Sequence, residues 1–393
     1  MEKKTYLKGF LSGVLAIILV AALARGIHRV QSFSGTELPR DTKIQTIEKY
    51  LDRYYVDEVD KEDMVEMMYA GLVAGVGDPY TAYMSKEELE SFMEDTEGSF
   101  EGIGVEVTMD PKDNSLVVIA PIPNSPAEKV GILSGDKIIK VDGEDISGLN
   151  LNAIISRVKG EEGTIVKITV YREATNEILD FTVERKSIEV SSVTHRMLED
   201  NIGYIKLSGF HANSYDQFKK AYDELTAQGM KGLILDVRNN PGGLLDIAVK
   251  IADELVPEGT IVYTVDKSGE RKDSLSDEKH IEVPLILLVN GYSASASEVL
   301  AGAVQDMNVG KLVGTQTFGK GLVQGLFPLS DGSALKITIQ KYYTPKGVCI
   351  QGEGITPDYI MELPEEYKYS VRIPEEEDTQ LKKAVDVILE GLK

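Results

Sequence analysis

Residues 291–307, "GYSASASEVLAGAVQDM", alternate three serines with alanines between an apolar run and an amphipathic helix. Ser295, the middle serine, stands three residues before Glu298, which is the spacing of a helix capping box. A serine at this point also faces the positive end of the helix dipole, which favours the oxyanion that nucleophilic attack produces. The pattern therefore predicts one of two roles for Ser295, a helix cap or a nucleophile.

A serine nucleophile needs a base, and a lysine in "TFGKGLVQG", residues 317–325, could supply it. Lys320 lies between two glycines in an apolar stretch, and Gln324 follows four residues later. Most lysines are solvated surface charges, but a lysine held in a dry site loses its proton more readily. We expect the three histidines beyond residue 100 to lie at the surface, since each has a polar or turn-like context: His195, His211 and His280.

A third stretch, "NNPGG" at residues 239–243, follows a buried apolar strand and precedes a helix. Its two glycines allow backbone N–H groups to point outward toward an anion. In an open α/β sheet, ligands bind beyond the carboxyl ends of the strands. We therefore expect this loop and the serine stretch to converge on one site.

Five motifs in this order resemble the carboxy-terminal processing proteases, serine peptidases with a Ser–Lys catalytic pair: "DPYTAYM", "LDVRNNPGG", "YSASASE", "TFGKGLVQ" and "YYTPKG…GITPD". The similarity covers most of residues 41–360. It implies that Ser295 is the nucleophile, that Lys320 is the base and that Gln324 orients the lysine. It also implies an oxyanion hole made by the backbone amides of Ala296 and of either Gly242 or Gly243.

The resemblance also implies the folds of two domains. The core is similar to the fold shared by Clp-type peptidases and crotonases. The preceding domain resembles a PDZ domain, in which an incoming peptide adds as an extra strand and loop amides hold its terminal carboxylate. The carboxylate-binding loop would be formed by Gly102, Ile103, Gly104 and Val105. One departure is that Val348 and Cys349 stand where the family commonly has an Arg-Ser pair; we expect Cys349 to be a small buried residue.

The elements that must position these residues form a multidomain chain of α+β and α/β character. Apolar residues at helical spacing predict helices in residues 41–98, with Ser85 as a helix cap. Short β runs with two short helices follow, and after Ser187 apolar strands alternate with helices, which is typical of a parallel sheet. The predicted segments are a signal anchor or signal peptide (1–24), a tether (25–40), an N-terminal helical module (41–98), a PDZ domain (99–188), a protease core (189–360) and a C-terminal helical segment (361–393).

Composition excludes several other functions. The chain of 393 residues carries a formal net charge of −22, which would repel nucleic acid. It has one cysteine and four histidines without metal-ligand spacing, so neither an intramolecular disulfide nor a structural zinc site is expected, and no cofactor is implied. Three lysines followed by an apolar run from Gly9 to Ala24 indicate an export signal, which we interpret as a retained membrane anchor, with signal cleavage and secretion as the alternative.

Together with the export signal, the resemblance implies an extracytoplasmic, membrane-anchored serine endopeptidase that cleaves protein substrates near their C-termini. Its PDZ domain would recognise the free C-terminus of the substrate and could gate the activity. The alternatives are an inactive PDZ adaptor and an acyl-CoA enzyme on a crotonase-like core. The helical module and the last helix, residues 378–391, have apolar stripes without an obvious partner in the core, so we expect them to mediate self-association, most simply as a homodimer.

Overall fold

The computed structural model describes residues 39–368, 370 and 373–392. The predicted signal or anchor segment, and all but the last two residues of the predicted tether, lie outside these residues. Among the helices that the model describes, none combines the length and the apolar character needed to cross a membrane. The described residues divide into two compact units, one up to residue 69 and one from residue 70 onward.

Two helices begin the described chain, α1 (Arg40–Tyr54) and α2 (Lys61–Ala74). No side chain of α1 is buried, and Ile47, Tyr50 and Tyr54 are exposed. A strand, β1 (Ala82–Met84), and a third helix, α3 (Lys86–Glu97), follow. The predicted cap of α3 is confirmed, since the Ser85 hydroxyl accepts from the Glu88 N–H at 3.2 Å and the Glu88 carboxylate accepts from the Ser85 N–H at 2.9 Å. The N-terminal region is helical, as predicted, but it also contains the short strand β1, which the sequence pattern did not predict and which pairs with a strand of the core.

A small β-rich domain spans the next segment, and it contains every strand and helix that its sequence predicted. Its helices are α4 (Pro126–Val130) and α5 (Leu151–Val158). Its strands are β2 (Ser99–Gly102), β3 (Val105–Met109), β4 (Leu116–Pro121), β5 (Lys137–Val141), β6 (Glu144–Asp145), β7 (Ile165–Arg172), β8 (Glu177–Glu184) and β9 (Lys186–Glu189). Strands β3, β4, β5, β7 and β8 form one sheet, with β6 paired to β5, whereas β2 pairs with β9. Apolar side chains from these strands and from α5 form a separate core.

The α/β core is built on a six-stranded sheet in the order β10-β11-β12-β15-β16-β19. These strands are β10 (Val193–Met197), β11 (Ile202–Leu207), β12 (Gly232–Asp236), β15 (Leu285–Val289), β16 (Gly310–Gly314) and β19 (Tyr359–Ile360). All neighbours pair in parallel except β10 with β11. Every residue of β12 and β15 is buried, which confirms the prediction of a parallel sheet covered on both faces.

Helices cover both faces of this sheet. On one face the main core packs against α6 (Ser214–Ala227), α7 (Leu245–Leu255) and α8 (Ala296–Asp306). On the other face, α9 (Thr379–Gly391) buries Leu381, Ala384 and Ile388. The expectation that the last helix lacks a partner in the core is therefore wrong: its apolar stripe is used within the chain.

A second sheet carries the loop with the candidate base. It contains β13 (Gly259–Asp266), β14 (Arg271–Ser276), β17 (Leu322–Pro328) and β18 (Ala334–Tyr343). β18 pairs with β17, with β13 and with β1, so the segment that precedes the β-rich domain adds a strand to this sheet. Ala82 lies opposite Lys336 in that pairing.

Candidate active site

Ser295 lies at the sharp turn from β15 into α8. Its backbone has φ 56° and ψ −112°, a combination that non-glycine residues rarely adopt and that costs on the order of 1–3 kcal/mol. Its side chain is half-buried, whereas Ser293 and Ser297 have no exposed surface. Of the three alternating serines, the middle one alone reaches solvent.

The two flanking serines bind the loop that follows β12. The Ser293 hydroxyl donates to the main-chain oxygen of Val237 at 2.8 Å, and the Ser297 hydroxyl donates to that of Asn240 at 2.9 Å. Buried hydroxyls paired in this way contribute to stability, and their removal would leave each carbonyl oxygen with one donor fewer. Ser293 and Ser297 thus join the serine turn to the glycine loop.

A buried carboxylate joins the serine turn to the lysine loop. Glu298 has no exposed surface and accepts four hydrogen bonds: from the N–H of Ser295 at 2.9 Å, the hydroxyl of Thr317 at 2.6 Å, the N–H of Gly319 at 2.7 Å and the N–H of Lys320 at 2.9 Å. The bonds from Ser295 and Lys320 reach the same oxygen, Oε2, so their backbone nitrogens are at most twice 2.9 Å apart. One residue of α8 therefore fixes the two candidate catalytic residues side by side.

The capping role predicted for this turn is met by the main chain of Ser295 together with the Glu298 side chain. The Glu298 carboxylate accepts from the Ser295 N–H, and the Glu298 N–H donates to the main-chain oxygen of Ser295 at 2.8 Å. The helix start is thus held through the Ser295 backbone, and the cap needs no hydroxyl.

Tyr342 of β18 contacts the same two loops. Its hydroxyl lies 2.9 Å from the main-chain oxygen of Ser295 and also contacts the main-chain oxygen of Lys320. Burial raises the pKa of Tyr342 well above its ordinary value, and the charge of Glu298 acts in the same direction. The hydroxyl therefore stays protonated and can donate to these carbonyl oxygens.

The glycine loop lies against the serine turn. A Cβ on Gly242 would lie 2.9 Å from the Ser295 Cβ and 3.1 Å from the Ala296 nitrogen, and the φ of 108° at Gly242 also disfavours any side chain. Close backbone approach is thus what requires glycine at this position. The predicted convergence of the two strand ends is confirmed.

The two glycine amides differ in their partners. The Gly242 N–H donates to Asn240 Oδ1 at 2.9 Å. Gly243 forms a parallel bridge with Phe210 in which the bonds are made by the Gly242 oxygen and the Leu244 nitrogen, so the Gly243 N–H points away from Phe210. Neither the Gly243 N–H nor the Ala296 N–H has a protein partner among the described residues.

Lys320 is half-buried, and its Nζ lies 4.7 Å from the centroid of the Tyr80 ring. Burial lowers the pKa of Lys320, and repulsion from Lys336 acts in the same direction. Asp78 and Glu298 oppose this shift without reversing it. At a given pH, the neutral amine is therefore more populated in Lys320 than in a lysine exposed to solvent.

The apolar residues next to Lys320 in the sequence are not the ones that bury its side chain. Phe318 is 55% exposed, and Leu322 and Val323 are only partly buried. The aromatic contact comes instead from Tyr80, in the turn before β1. Local hydrophobicity was therefore the wrong reason for the expected shift, although its direction agrees.

Gln324 lies on β17, close to the lysine in sequence. Its amide donates to the Thr338 hydroxyl at 3.3 Å, and in the described part of the chain it forms no hydrogen bond with Lys320. The Thr338 side chain in turn binds Asp78, whose charge acts on Lys320. Among the described contacts, Gln324 thus binds Thr338 and not the lysine itself.

The predicted carboxylate-binding loop, Gly102 to Val105, joins β2 to β3 and lines a groove of about 260 Å³. The groove is mostly apolar, with Ile103, Val107, Leu116, Ile138, Ile154 and Val158 among its lining residues. Residues from outside the β-rich domain also line it, including Glu94 of α3 and His211. The site predicted from the loop is therefore an apolar groove partly walled by other segments.

Two expectations about single residues require correction. His195 and His280 are exposed as predicted, but His211 is half-buried, its Nδ1 has no partner among the described residues, and burial lowers its pKa. Cys349 is half-buried rather than buried. In the part of the chain that the structure describes, no group of three or more His, Cys, Asp or Glu side chains could hold a metal ion.

Comparison with known proteins identifies the parts of this architecture. Residues 201–361 match the model of peptidase family S41, residues 117–172 match that of the PDZ domain, and residues 23–88 match that of the activating protease CtpB N-terminal domain. A crystal structure of a candidate S41 protease from Bacteroides fragilis shares the fold, with a TM-score of 0.51, 17% identity and coverage of 91% of this chain and 100% of that one. Fold and site define a serine-type peptidase with a PDZ domain.

Curated relatives define the family more narrowly. The chain is 40% identical over 337 residues to a carboxy-terminal-processing protease of Bartonella bacilliformis, covering 82% of this chain and 76% of that protein. It is 34% identical over 369 residues to the carboxy-terminal processing protease CtpA of Bacillus subtilis, covering 92% and 78%. The chain belongs to the family of carboxy-terminal processing proteases.

Proposed function

We propose that this protein is an exported serine endopeptidase that cleaves protein substrates near their C-termini, with Ser295 as nucleophile and Lys320 as general base. The observation that carries the proposal is the pair of bonds to one oxygen of Glu298, from the Ser295 and Lys320 backbones. Burial of Lys320, which lowers its pKa, supports the role of base.

The reaction follows from these positions. The neutral Lys320 amine takes the Ser295 hydroxyl proton as the serine oxygen attacks the scissile carbonyl carbon. The lysine then returns this proton to the leaving amine nitrogen, and an acyl-enzyme forms. A water molecule deprotonated by Lys320 attacks the acyl carbon, and the serine oxygen leaves with a proton from the lysine.

The oxyanion is received by the Ala296 and Gly243 N–H groups. Both lack a protein partner among the described residues, whereas the Gly242 N–H is already bound to Asn240. The choice between the two glycines therefore falls on Gly243. Removing one such donor in a serine peptidase costs on the order of 10²–10³ in kcat.

Cleavage of an unstructured protein tests the catalytic assignment. Ser295→Ala should abolish cleavage, while Ser293→Ala should retain much of it because the Ser293 hydroxyl binds Val237 instead of facing solvent. Both variants should show the circular dichroism of the native protein. If the native protein binds C-terminal peptides but never cleaves, the inactive adaptor becomes the better interpretation.

The apolar groove beside Gly102 to Val105 would bind the C-terminal residues of the substrate, with loop amides holding the carboxylate. Full-length Ser295→Ala should bind a peptide acid more tightly than the same peptide amide, by about 1.5–3 kcal/mol, because the amide lacks the charged acceptor. Fluorescence anisotropy can compare the two. Equal affinities would refute carboxylate recognition and leave the catalytic assignment untouched.

Residues 9–24 would carry the protein across the membrane and hold it there. Self-association would use α1, whose exposed Ile47, Tyr50 and Tyr54 support an apolar contact. Light scattering of residues 39–393 at micromolar concentration should then show a dimer that Tyr50→Ser weakens; a monomer throughout would refute it.

A further inference from the structure

The turn that precedes β1 is built around one carboxylate. Asp78 accepts from the Tyr80 N–H at 3.1 Å and from the Thr81 hydroxyl at 2.7 Å, and Thr81 in turn accepts from the Thr338 N–H at 3.0 Å. Pairing of β1 with β18 fixes this turn to the sheet that carries the lysine loop. The turn is therefore an ordered part of the site.

Two groups of this turn act on the lysine, one by contact and one through its charge. The Tyr80 ring lies within the roughly 6 Å range over which an aromatic face attracts a cation, with its centroid 4.7 Å from Nζ. The charge of Asp78 also acts on Lys320, in the direction that favours the ammonium form. Both groups stabilise the charged lysine more than the neutral one.

The other groups around Lys320 do not take this role. Lys336 repels the ammonium. Glu298 attracts it, but its oxygens already accept four hydrogen bonds. Tyr342 binds the main-chain oxygen of Lys320 and not its amine. Among the groups considered, Asp78 and Tyr80 are thus the ones that can stabilise the ammonium, Asp78 through its charge and Tyr80 through the face of its ring.

We propose that Asp78 and Tyr80 are positioning residues of the protease, which hold the Lys320 amine in place and stabilise the lysinium formed when it takes the Ser295 proton. This inference rests on the proposed Ser–Lys mechanism. The proton passes from Ser295 Oγ to Lys320 Nζ and then to the leaving nitrogen, so the positive charge on the lysine appears and disappears within one acylation step. The carboxylate and the ring stabilise the charged base, as the carboxylate beside histidine does in serine proteases of the Ser-His-Asp type.

The test is the pH dependence of kcat and KM for cleavage of an unstructured protein. In Asp78→Asn the carboxylate charge is lost, while Asn still offers an acceptor to the Tyr80 N–H. The neutral lysine should persist to lower pH, so the acidic limb of kcat should move to lower pH. The plateau kcat should fall about 10- to 100-fold with KM changed less than about threefold, because the lysinium is less stabilised.

Matched variants separate this role from a structural one. Tyr80→Leu should lower the plateau kcat about tenfold and move the limb in the same direction, whereas Tyr80→Phe, which keeps the ring, should stay within about threefold of the native protein. Asp331→Asn removes an exposed carboxylate from the β17–β18 hairpin and should leave the limb in place. If Asp78→Asn does not fold, the Tyr80 pair decides by itself.

An unmoved limb in both Asp78→Asn and Tyr80→Leu would overturn the inference, whether or not the plateau falls. Failure of the Ser–Lys mechanism has a different signature, since Lys320→Arg would then retain its activity. The two failures are therefore distinguishable in the same assay.

Discussion

Arg238 follows β12 of the six-stranded sheet and Lys320 precedes β17 of the second sheet, and the surroundings of these two cations shift their pKa values in opposite directions. Arg238 is 6% exposed and binds Asp236 through two nitrogens, Asp378 through two and Gln380 through one. Burial acts to lower the pKa of Arg238, but the two carboxylates hold it above its ordinary value. Lys320 is less buried, yet its pKa is lowered because its charged neighbours do not compensate for burial.

The difference shows that the charged partners of a buried cation, more than its burial, determine whether its pKa is raised or lowered. Arg238 is fully paired and joins the end of β12 to the N-terminus of α9, where Asp378 also caps the helix through the Leu381 N–H. Its charge serves the fold. Lys320 has an aromatic ring as a neighbour and feels the charge of Asp78 without an ion pair among the described contacts, so its proton can leave and return, and its charge serves the proposed reaction.

The largest expected effect comes from giving the lysine site a cation that cannot lose its proton. Lys320→Arg keeps charge and approximate length, but guanidinium stays protonated throughout the working pH range. We expect kcat to fall about 10²- to 10⁴-fold, the usual contribution of a general base. Lys311→Arg, at an exposed ion pair with Asp358, should leave kcat unchanged. Substantial single-turnover cleavage by Lys320→Arg would show that another group deprotonates Ser295.

Breaking the paired cation should mainly affect stability. Arg238→Met leaves Asp236 and Asp378 buried without their partner, which typically costs about 3–5 kcal/mol. Urea unfolding at pH 7 should show this loss. Arg196→Met breaks an exposed ion pair with Glu375 and should cost less than about 1 kcal/mol. Similar losses in the two variants would mean that burial does not distinguish these arginines.

Much of this site could be predicted because its residues mark the ends of elements. Ser295 was placed by the capping-box spacing and the apolar strand before it, and the glycine loop by its position after β12. These are local patterns, and local geometry follows from residue type: φ above zero favours glycine, and a short polar residue begins a helix.

Contacts between distant segments left no local pattern. The approach of Tyr80 to Lys320 depends on β1 joining β18, which the helical character of residues 41–98 concealed. The four bonds to Glu298 depend on how the 317–320 loop folds over α8. The sequence did not indicate a partner for the last helix, because Asp378 and Gln380 at its start bind Arg238, which is 140 or more residues away in the chain.

The three alternating serines should differ in their contribution to stability, by smaller amounts than the two cations. Ser293→Ala and Ser297→Ala should each destabilise the protein by about 1 kcal/mol, because each leaves a main-chain oxygen of the glycine loop without its hydroxyl donor. Ser295→Ala should change the free energy of unfolding by less than about 0.5 kcal/mol, since the cap uses backbone atoms. Urea titrations of the three variants provide the measurement; a large loss in Ser295→Ala would assign its hydroxyl a structural role.

A small gain in stability is expected when the charge of Lys320 is removed. A lysine whose pKa is lowered by folding disfavours the folded state as long as it is protonated in the unfolded chain. Below the folded pKa both states carry the proton and the full cost is present. As the pH rises through the folded pKa, the folded state releases the proton and the cost decreases, until it vanishes above the unfolded value of about 10.4.

Lys320→Met keeps the length of the side chain without its charge, so it should stabilise the protein at pH 7. Solvent screening of the half-buried ammonium limits the gain to at most about 1 kcal/mol. Urea unfolding at pH 7 and at pH 10 should show the gain decreasing with pH, and Lys311→Met, which breaks an exposed ion pair, should show no such gain. If Lys320→Met were less stable at pH 7, the ammonium would be a net stabilising charge like that of Arg238, and the contrast between the two cations would disappear. A gain that decreases with pH would instead show that the protein gives up folding free energy at the position where the proposed reaction needs a neutral amine.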